Sequence, residues 1–262
     1  MNTPLRLAIH GLGKVGELVR AEAESDPDIQ LVAVIDRSHP GATFSDIGQA
    51  ELADCDGLID FSAGAAVTDL LTAARSFPRL RIVTGSSGWL GALPEIKETV
   101  ERQGGYFLYG ANFSVGTAFF MEIARYAAAL FGQLDGYDAA LLDIHHRGKP
   151  DMPSGTALAL AQKLTDAMPA KTEPLIGLAD RAVQTDELHV AALRLGANKG
   201  FHQVWFDAAE ETVTLSQQTH DRSVYAKGSL LALKWLMAQT TPGYYTFDHV
   251  LESYYQKAGR SQ

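Results

Sequence analysis

The sequence predicts an α/β chain in two parts: an N-terminal domain built on a parallel sheet with helices on both faces, and a C-terminal α+β domain with an antiparallel or mixed sheet. Three observations carry this. Up to Asn112, short runs rich in Val, Ile and Leu alternate with longer amphipathic segments, the rhythm of strands joined by right-handed crossover helices. The first run leads straight into a glycine-spaced loop. Beyond Asn112 the alternation stops, and strands follow one another with no helix between them.

In chain order, strands are expected at 5–10, 31–35, 57–61, 81–84 and 106–109, with helices at 13–25, 64–77 and 93–103. The glycine loop, Gly11-Leu12-Gly13-Lys14-Val15-Gly16, sits between the first strand and the first helix, and this context makes the GxGxxG spacing a Rossmann-like dinucleotide fingerprint. Gly11 permits the tight turn, Gly13 lets backbone approach a pyrophosphate, and Gly16 lets helix pack on strand. The second strand ends at Asp36, at the distance where a carboxylate accepts hydrogen bonds from an adenosine ribose. Asp36 favours NADH by repelling a 2′-phosphate, whereas Arg37 beside it is suited to pair with one. NADH or NADPH is therefore the expected cofactor, with NADH preferred and NADPH accepted. Gly85, Ser86 and Ser87 follow the fourth strand at the sheet's carboxyl edge, where small residues let a nicotinamide lie close, although a plain Gly/Ser turn has the same composition.

A long apolar helix opens at Ser114, and a strand follows at 138–144. The next helix, 155–168, has Ser154 or Thr156 near its N-cap. Strands are expected at 188–195, 201–206 and 212–216, and the short connection 196–200 favours antiparallel pairing of its neighbours. A last helix, 223–239, has helical apolar spacing and is expected to pack back on the first domain. The domains are thus 1–113 with 222–262 for the dinucleotide, and 114–221 for substrate binding and oligomerisation.

With 262 residues, 46% of them hydrophobic, the chain can build two cores. Its single cysteine, Cys55, rules out an internal disulfide and a Cys-based zinc cluster, and no run of about 18 apolar residues suggests a membrane span. A cytoplasmic protein is expected. A formal charge of −9 without clustered Lys and Arg argues against nucleic acid as a partner. Against that acidic background, His145, His146, Arg147 and Lys149 reverse the local field on a loop between a strand and a helix N-terminus. Backbone N–H groups and the helix dipole favour anions there, so an acidic small molecule is the expected ligand. A pair of adjacent histidines could suggest zinc. Neighbours on an extended strand point to opposite faces, however, and the nearby cations oppose a dication, so no catalytic metal is expected. His39, His189, His202, His220 and His249 lack metal-ligand spacing and read as structural or surface residues.

These motifs together resemble the 4-hydroxy-tetrahydrodipicolinate reductase (dihydrodipicolinate reductase) family, over essentially the whole chain. The resemblance rests on the glycine loop, on Gly85-Ser86-Ser87-Gly88 in place of Gly-Thr-Thr-Gly, and on Ala111-Asn112-Phe113-Ser114-Val115-Gly116. It continues through His145-His146-Arg147-Gly148-Lys149 with Asp151 and Pro153-Ser154-Gly155-Thr156-Ala157, then Arg222 to Gly228 and Pro242-Gly243-Tyr244-Tyr245. It implies a cyclic dicarboxylate substrate, His145 as general acid and Lys149 as the group that holds and polarises the intermediate. It further implies substrate contacts from His146, Ser154, Gly155 and Thr156, cofactor contacts extending to Ala111, Asn112, Phe113 and Arg222, and a homotetramer joined through C-terminal domains. Three positions depart from the family pattern: His10 stands where glycine is usual, Asp143 replaces a glutamate, and Gln217 replaces a common histidine.

An imidazolium suits the expected chemistry because it transfers a proton efficiently near neutral pH. Another two-domain amino-acid dehydrogenase would share the nucleotide fold but lack the His-His-Lys loop. A redox-sensing regulator would instead carry a basic DNA-reading element.

Overall fold

The computed structural model describes residues 3–259. They fall into two compact units, one formed by the chain up to Ser114 and again from Arg222, the other by Val115–Asp221.

In the first unit, six parallel strands lie in the order β11-β5-β4-β3-β1-β2: β1 (Leu5–His10), β2 (Ile29–Ile35), β3 (Gly57–Asp60), β4 (Arg81–Thr84), β5 (Tyr106–Tyr109) and β11 (Gly243–Thr246). Strand alternation divides the side chains between two cores. Ala8, Ile35, Leu58, Ile82 and Phe107 pack with α2 (Ala66–Ala74) and α3 (Leu93–Gln103). On the opposite face lies α6 (Ser223–Met237), which also packs with α1 (Gly16–Ser25). Gly57 is the close approach there, since a Cβ would meet Leu233 at 2.7 Å. Residues such as Leu7, Ile9, Ile59 and Val83 have no exposed surface, and burying each contributes about 1.5–3 kcal/mol.

In the second unit, five strands are ordered β10-β9-β6-β8-β7: β6 (Asp138–His145), β7 (Glu173–Ile176), β8 (Glu187–Arg194), β9 (Phe201–Asp207) and β10 (Thr212–Gln218). The sheet is mixed. β6 pairs parallel with β8 but antiparallel with β9. Its inner face is covered by α4 (Val115–Phe131) and α5 (Gly155–Ala167), through Phe120, Ala124, Leu141, Leu160, Leu164 and Val204. The outer face carries Leu142, Ile144, Phe201 and Trp205, all half-buried, and Leu193, which is 52% exposed.

The sequence expectation fails in three places. β8 and β9 do not pair with each other, because β6 lies between them; the 195–200 connection instead crosses the end of β6, where Leu195 N–H donates to the His145 carbonyl (2.8 Å). β11 went unread because Pro242 and Gly243 resemble turn punctuation, and the short β7 and the final helix α7 (Phe247–Gly259) were also missed. Finally, α1 begins at Gly16, although Glu17 N–H already donates to the Gly13 carbonyl (3.0 Å), so the difference is one helical turn.

Candidate active site

The glycine loop has the geometry that its spacing requires. Gly11 has φ +89°, and a Cβ there would lie 2.5 Å from the Ser62 nitrogen. A Cβ on Gly16 would lie 1.8 Å from the Gly11 carbonyl oxygen, so only glycine lets α1 start against β1. Gly13 is exposed, with no heavy atom within 4 Å of its Cβ position. Lys14 is exposed as well, Val15 is half-buried, and the Leu12 side chain is core. A cradle of exposed backbone at a helix N-terminus suits a pyrophosphate.

Asp36 closes this cradle from β2. Its Oδ2 accepts the Leu12 N–H (2.8 Å), and its Oδ1 accepts the N–H groups of Ser38 and His39 (both 2.9 Å). The Ser38 N–H above all holds the carboxyl below its ordinary range, against the opposing effect of burial. Among the described residues, Oδ2 accepts only the Leu12 N–H and keeps room for a hydroxyl donor. Arg37 is exposed next to it.

The turn after β4 is shaped by Phe61, whose ring would lie 2.1 Å from a Cβ on Gly85. Two expected cofactor side chains turn inward instead. Ser86 is 3% exposed, and its hydroxyl lies 2.7 Å from Asp60 Oδ2. Phe113 is 1% exposed and packs edge-on against Phe61 and Phe247. Both can offer only backbone to a ligand. Ser87 and Ala111 are exposed, Asn112 accepts the Ser114 N–H through Oδ1 (2.8 Å), and Arg222 is half-buried at the start of α6.

In the second unit, alternation along β6 puts Asp143 and His145 in the buried row that begins with Ala139 and Leu141. Asp143 has no exposed surface and gathers partners from four elements. Its Oδ1 lies 2.9 Å from His145 Nδ1, 3.3 Å from His202 Nε2 and 2.8 Å from the Ser154 hydroxyl; its Oδ2 accepts the Ser154 N–H (3.0 Å) and faces Arg194 at 3.3 Å. Burial pushes the Asp143 carboxyl up, but hydrogen bonds from His145, His202 and Ser154 outweigh it and hold the group far below the usual carboxylate range. Asp143 therefore reaches His145 although it is one methylene shorter than glutamate.

With Nδ1 2.9 Å from the Asp143 carboxylate, His145 has Nε2 left for a ligand. That atom lies 3.2 Å from the Cβ position of Gly200, so a side chain there would crowd it. Lys149 Nζ pairs with Asp151 Oδ1 at 2.9 Å and is a quarter exposed. Gly155 is exposed at the N-terminus of α5, whereas Thr156 and His146 are half-buried. Ser154 departs from expectation. It is 2% exposed and caps α5 by accepting the Ala157 N–H (3.1 Å), while donating to Asp143, so it supports the site rather than lining it.

Two residues here escaped the sequence reading. His202 faces Asp143 across the β6/β9 register and is braced by Gln217, whose Oε1 lies 3.4 Å from its Nδ1. Arg194 binds the His146–Asp151 loop to β8 through the carbonyls of Lys149 (3.4 Å) and Asp151. Asp143, His145 and His202 are close enough to enclose a cation. Yet the Arg194 guanidinium, 3.3 Å from the same carboxylate, opposes further positive charge.

Comparison with known proteins places the chain in a family. Residues 5–113 match the family model "Dihydrodipicolinate reductase, N-terminus", and residues 116–251 match "Dihydrodipicolinate reductase, C-terminus". A 4-hydroxy-tetrahydrodipicolinate reductase of Caldanaerobacter subterraneus subsp. tengcongensis is 32% identical over 257 residues, covering 95% of this chain and 98% of that protein. One from Methanoregula boonei is 32% identical over 248 residues, covering 91% and 94%. Among solved structures, dipicolinate-bound dihydrodipicolinate reductase from Paenisporosarcina sp. TG-14 superposes with a TM-score of 0.74 at 21% identity, covering 93% and 98%. A diaminopimelate dehydrogenase of C. glutamicum reaches only 0.51 at 17% identity, covering 95% and 96%. With both halves matched by the two family models and nearly full-length relatives at this identity, the chain belongs to the dihydrodipicolinate reductase family.

Proposed function

We propose that this chain is an oxidoreductase that reduces 4-hydroxy-tetrahydrodipicolinate to tetrahydrodipicolinate with loss of water, in lysine and diaminopimelate biosynthesis, using NADH or NADPH. The observation that carries this is the Asp143–His145 pair with Nε2 left over, on the same strand-to-helix loop as Lys149. The relatives named for this activity and the dipicolinate bound to the Paenisporosarcina structure support a cyclic dicarboxylate as substrate.

The dinucleotide, when bound, supplies a hydride to the dehydrated ring. The glycine loop's N–H groups and Asp36 would hold its pyrophosphate and ribose, with backbone of Gly85–Ser87 and of 111–113 beside the nicotinamide and Arg222 nearby. Asp143 fixes the imidazole of His145 so that Nε2 delivers the proton the reduced ring requires, a contribution of about 10²–10⁴ in rate for a well-placed acid. The Lys149 ammonium stabilises developing negative charge, and its exchange of Asp151 for a substrate carboxylate is a swap of like partners. His146, Gly155 and Thr156 complete the carboxylate site at the N-terminus of α5.

The apolar outer face of the second unit's sheet, with Leu142, Ile144, Leu193, Phe201 and Trp205 together, supports a homotetramer joined through these units. Among the described residues no helix is long and apolar enough to cross a membrane. The requirement for a nicotinamide nucleotide supports action in the cytoplasm.

Purified protein coupled to the enzymatically generated cyclic substrate should oxidise NADH, and NADPH less efficiently. Absence of oxidation with both nucleotides, or oxidation of diaminopimelate by NAD⁺ instead, would overturn the assignment.

A further inference from the structure

The first unit contains its own histidine-carboxylate pair, and neither the family motifs nor the proposed reaction uses it. β1, β3 and β4 end in register on His10, Asp60 and Thr84. β2 lies on one side of β1 and β3 on the other, so His10 and Asp60 stand at the carboxyl edge where the crossovers diverge, the place at which open parallel sheets bind ligands. Asp60 has no exposed surface and His10 only 8%. A carboxylate is retained at such depth only when hydrogen-bonded.

Its contacts reach two loops. Oδ1 lies 2.9 Å from His10 Nδ1, 2.5 Å from the Ser62 hydroxyl and 3.2 Å from the Ser62 nitrogen; Oδ2 lies 2.6 Å from the Thr84 hydroxyl and 2.7 Å from that of Ser86. Burial raises the Asp60 carboxyl, yet His10, Ser62 and Thr84 together hold it below its ordinary range. His10 is the residue before Gly11, and Ser86 is the middle of the turn after β4. Asp60 thus ties the start of the glycine loop to the turn at the neighbouring strand end.

We infer that His10 is a positioning residue for the dinucleotide: through Asp60 and Ser86 it sets the Gly85–Ser87 turn relative to the glycine loop, so that one extended ligand meets both. The inference rests on the dinucleotide reading above. An apolar residue at position 10 would stay as buried as Leu7, Ala8 and Ile9, but it would remove the imidazole that packs 2.9 Å from Oδ1 and leave that oxygen to Ser62, loosening the carboxylate that Ser86 is tied to.

The test compares ADP-ribose, which reaches only the glycine-loop side, with NADH, which spans both, by titration calorimetry. Wild-type protein should bind both; failure to bind either ligand, or NADPH, would remove the dinucleotide reading itself. His10→Ala should weaken NADH by about tenfold, while ADP-ribose changes less than about twofold on the same scale. His10→Asn, whose amide nitrogen can occupy the Nδ1 position, should restore most of the NADH affinity. Ser86→Ala breaks the link from its other end and should reproduce the ADP-ribose and NADH pattern, carrying the test if His10→Ala fails to fold. In steady state, the His10→Ala effect should fall on KM for NADH and spare kcat. Equal weakening of both ligands, an unchanged NADH affinity, or no restoration by asparagine would overturn the inference.

Discussion

Each unit buries one aspartate against one histidine, with Nδ1 to Oδ1 distances of 2.9 Å in both, yet the surroundings differ. Asp60 is ringed by the hydroxyls of Ser62, Thr84 and Ser86, whereas Asp143 also faces Arg194 and a second imidazole, His202. The same local device therefore serves different ends. The ring of hydroxyls makes Asp60 a fastening between strand ends. The Arg194 guanidinium, with Lys149 on the adjoining loop, makes Asp143 the base of a site built for anions.

The contrast is broken most directly at the acid. His145→Ala should lose about 10²–10⁴ in turnover, measured as kcat at saturating nucleotide; an effect confined to KM would demote His145 to binding. Lys149→Ala should lose about 3–4 kcal/mol of transition-state stabilisation and keep its melting temperature, since its ion pair with Asp151 is partly exposed. Near-wild-type turnover would show that the ammonium has another role.

A change of pH sharpens the comparison further. Both carboxyls are depressed in the folded chain, so their contribution to stability is present above the unfolded carboxylate value of about 3.9 and is lost as pH falls through the folded one. Denaturant titrations at decreasing pH should show stability falling below about pH 4. Asp143→Asn and Asp60→Asn should each flatten that slope, and an unchanged slope in either would mean that its carboxylate is not the group being protonated. Ser154→Ala removes both the α5 cap and the hydroxyl bond to Asp143. It should cost about 1 kcal/mol for the cap and about 1.5–3 kcal/mol for the bond to the buried carboxylate, read as a drop of at least about 4 °C in melting temperature.

What was legible in the sequence was what local chemistry dictates. The glycines of the first loop announce themselves because a Cβ at Gly11 or Gly16 has nowhere to go, and Ser154 reads as a cap because its hydroxyl serves a backbone three residues on. What was hidden depends on register. His202 meets Asp143 only because β9 pairs antiparallel with β6, and Arg194 reaches the loop only because β8 lies on the other side. Asp60 drew no notice in a short apolar run. Ser86 follows a strand at the sheet's carboxyl edge and Phe113 belongs to a motif of the resemblance, so both are expected as ligand contacts; which way a side chain turns is decided by the neighbours packed around it.

Single-turnover hydride transfer with saturating NADH and substrate, compared between His145→Ala and His10→Ala, addresses the division of labour between the two pairs most directly. Transfer in His145→Ala should slow by at least about 10² while His10→Ala stays near the wild-type rate once nucleotide is saturating. Equal slowing in both variants, or the reverse order, would contradict that division.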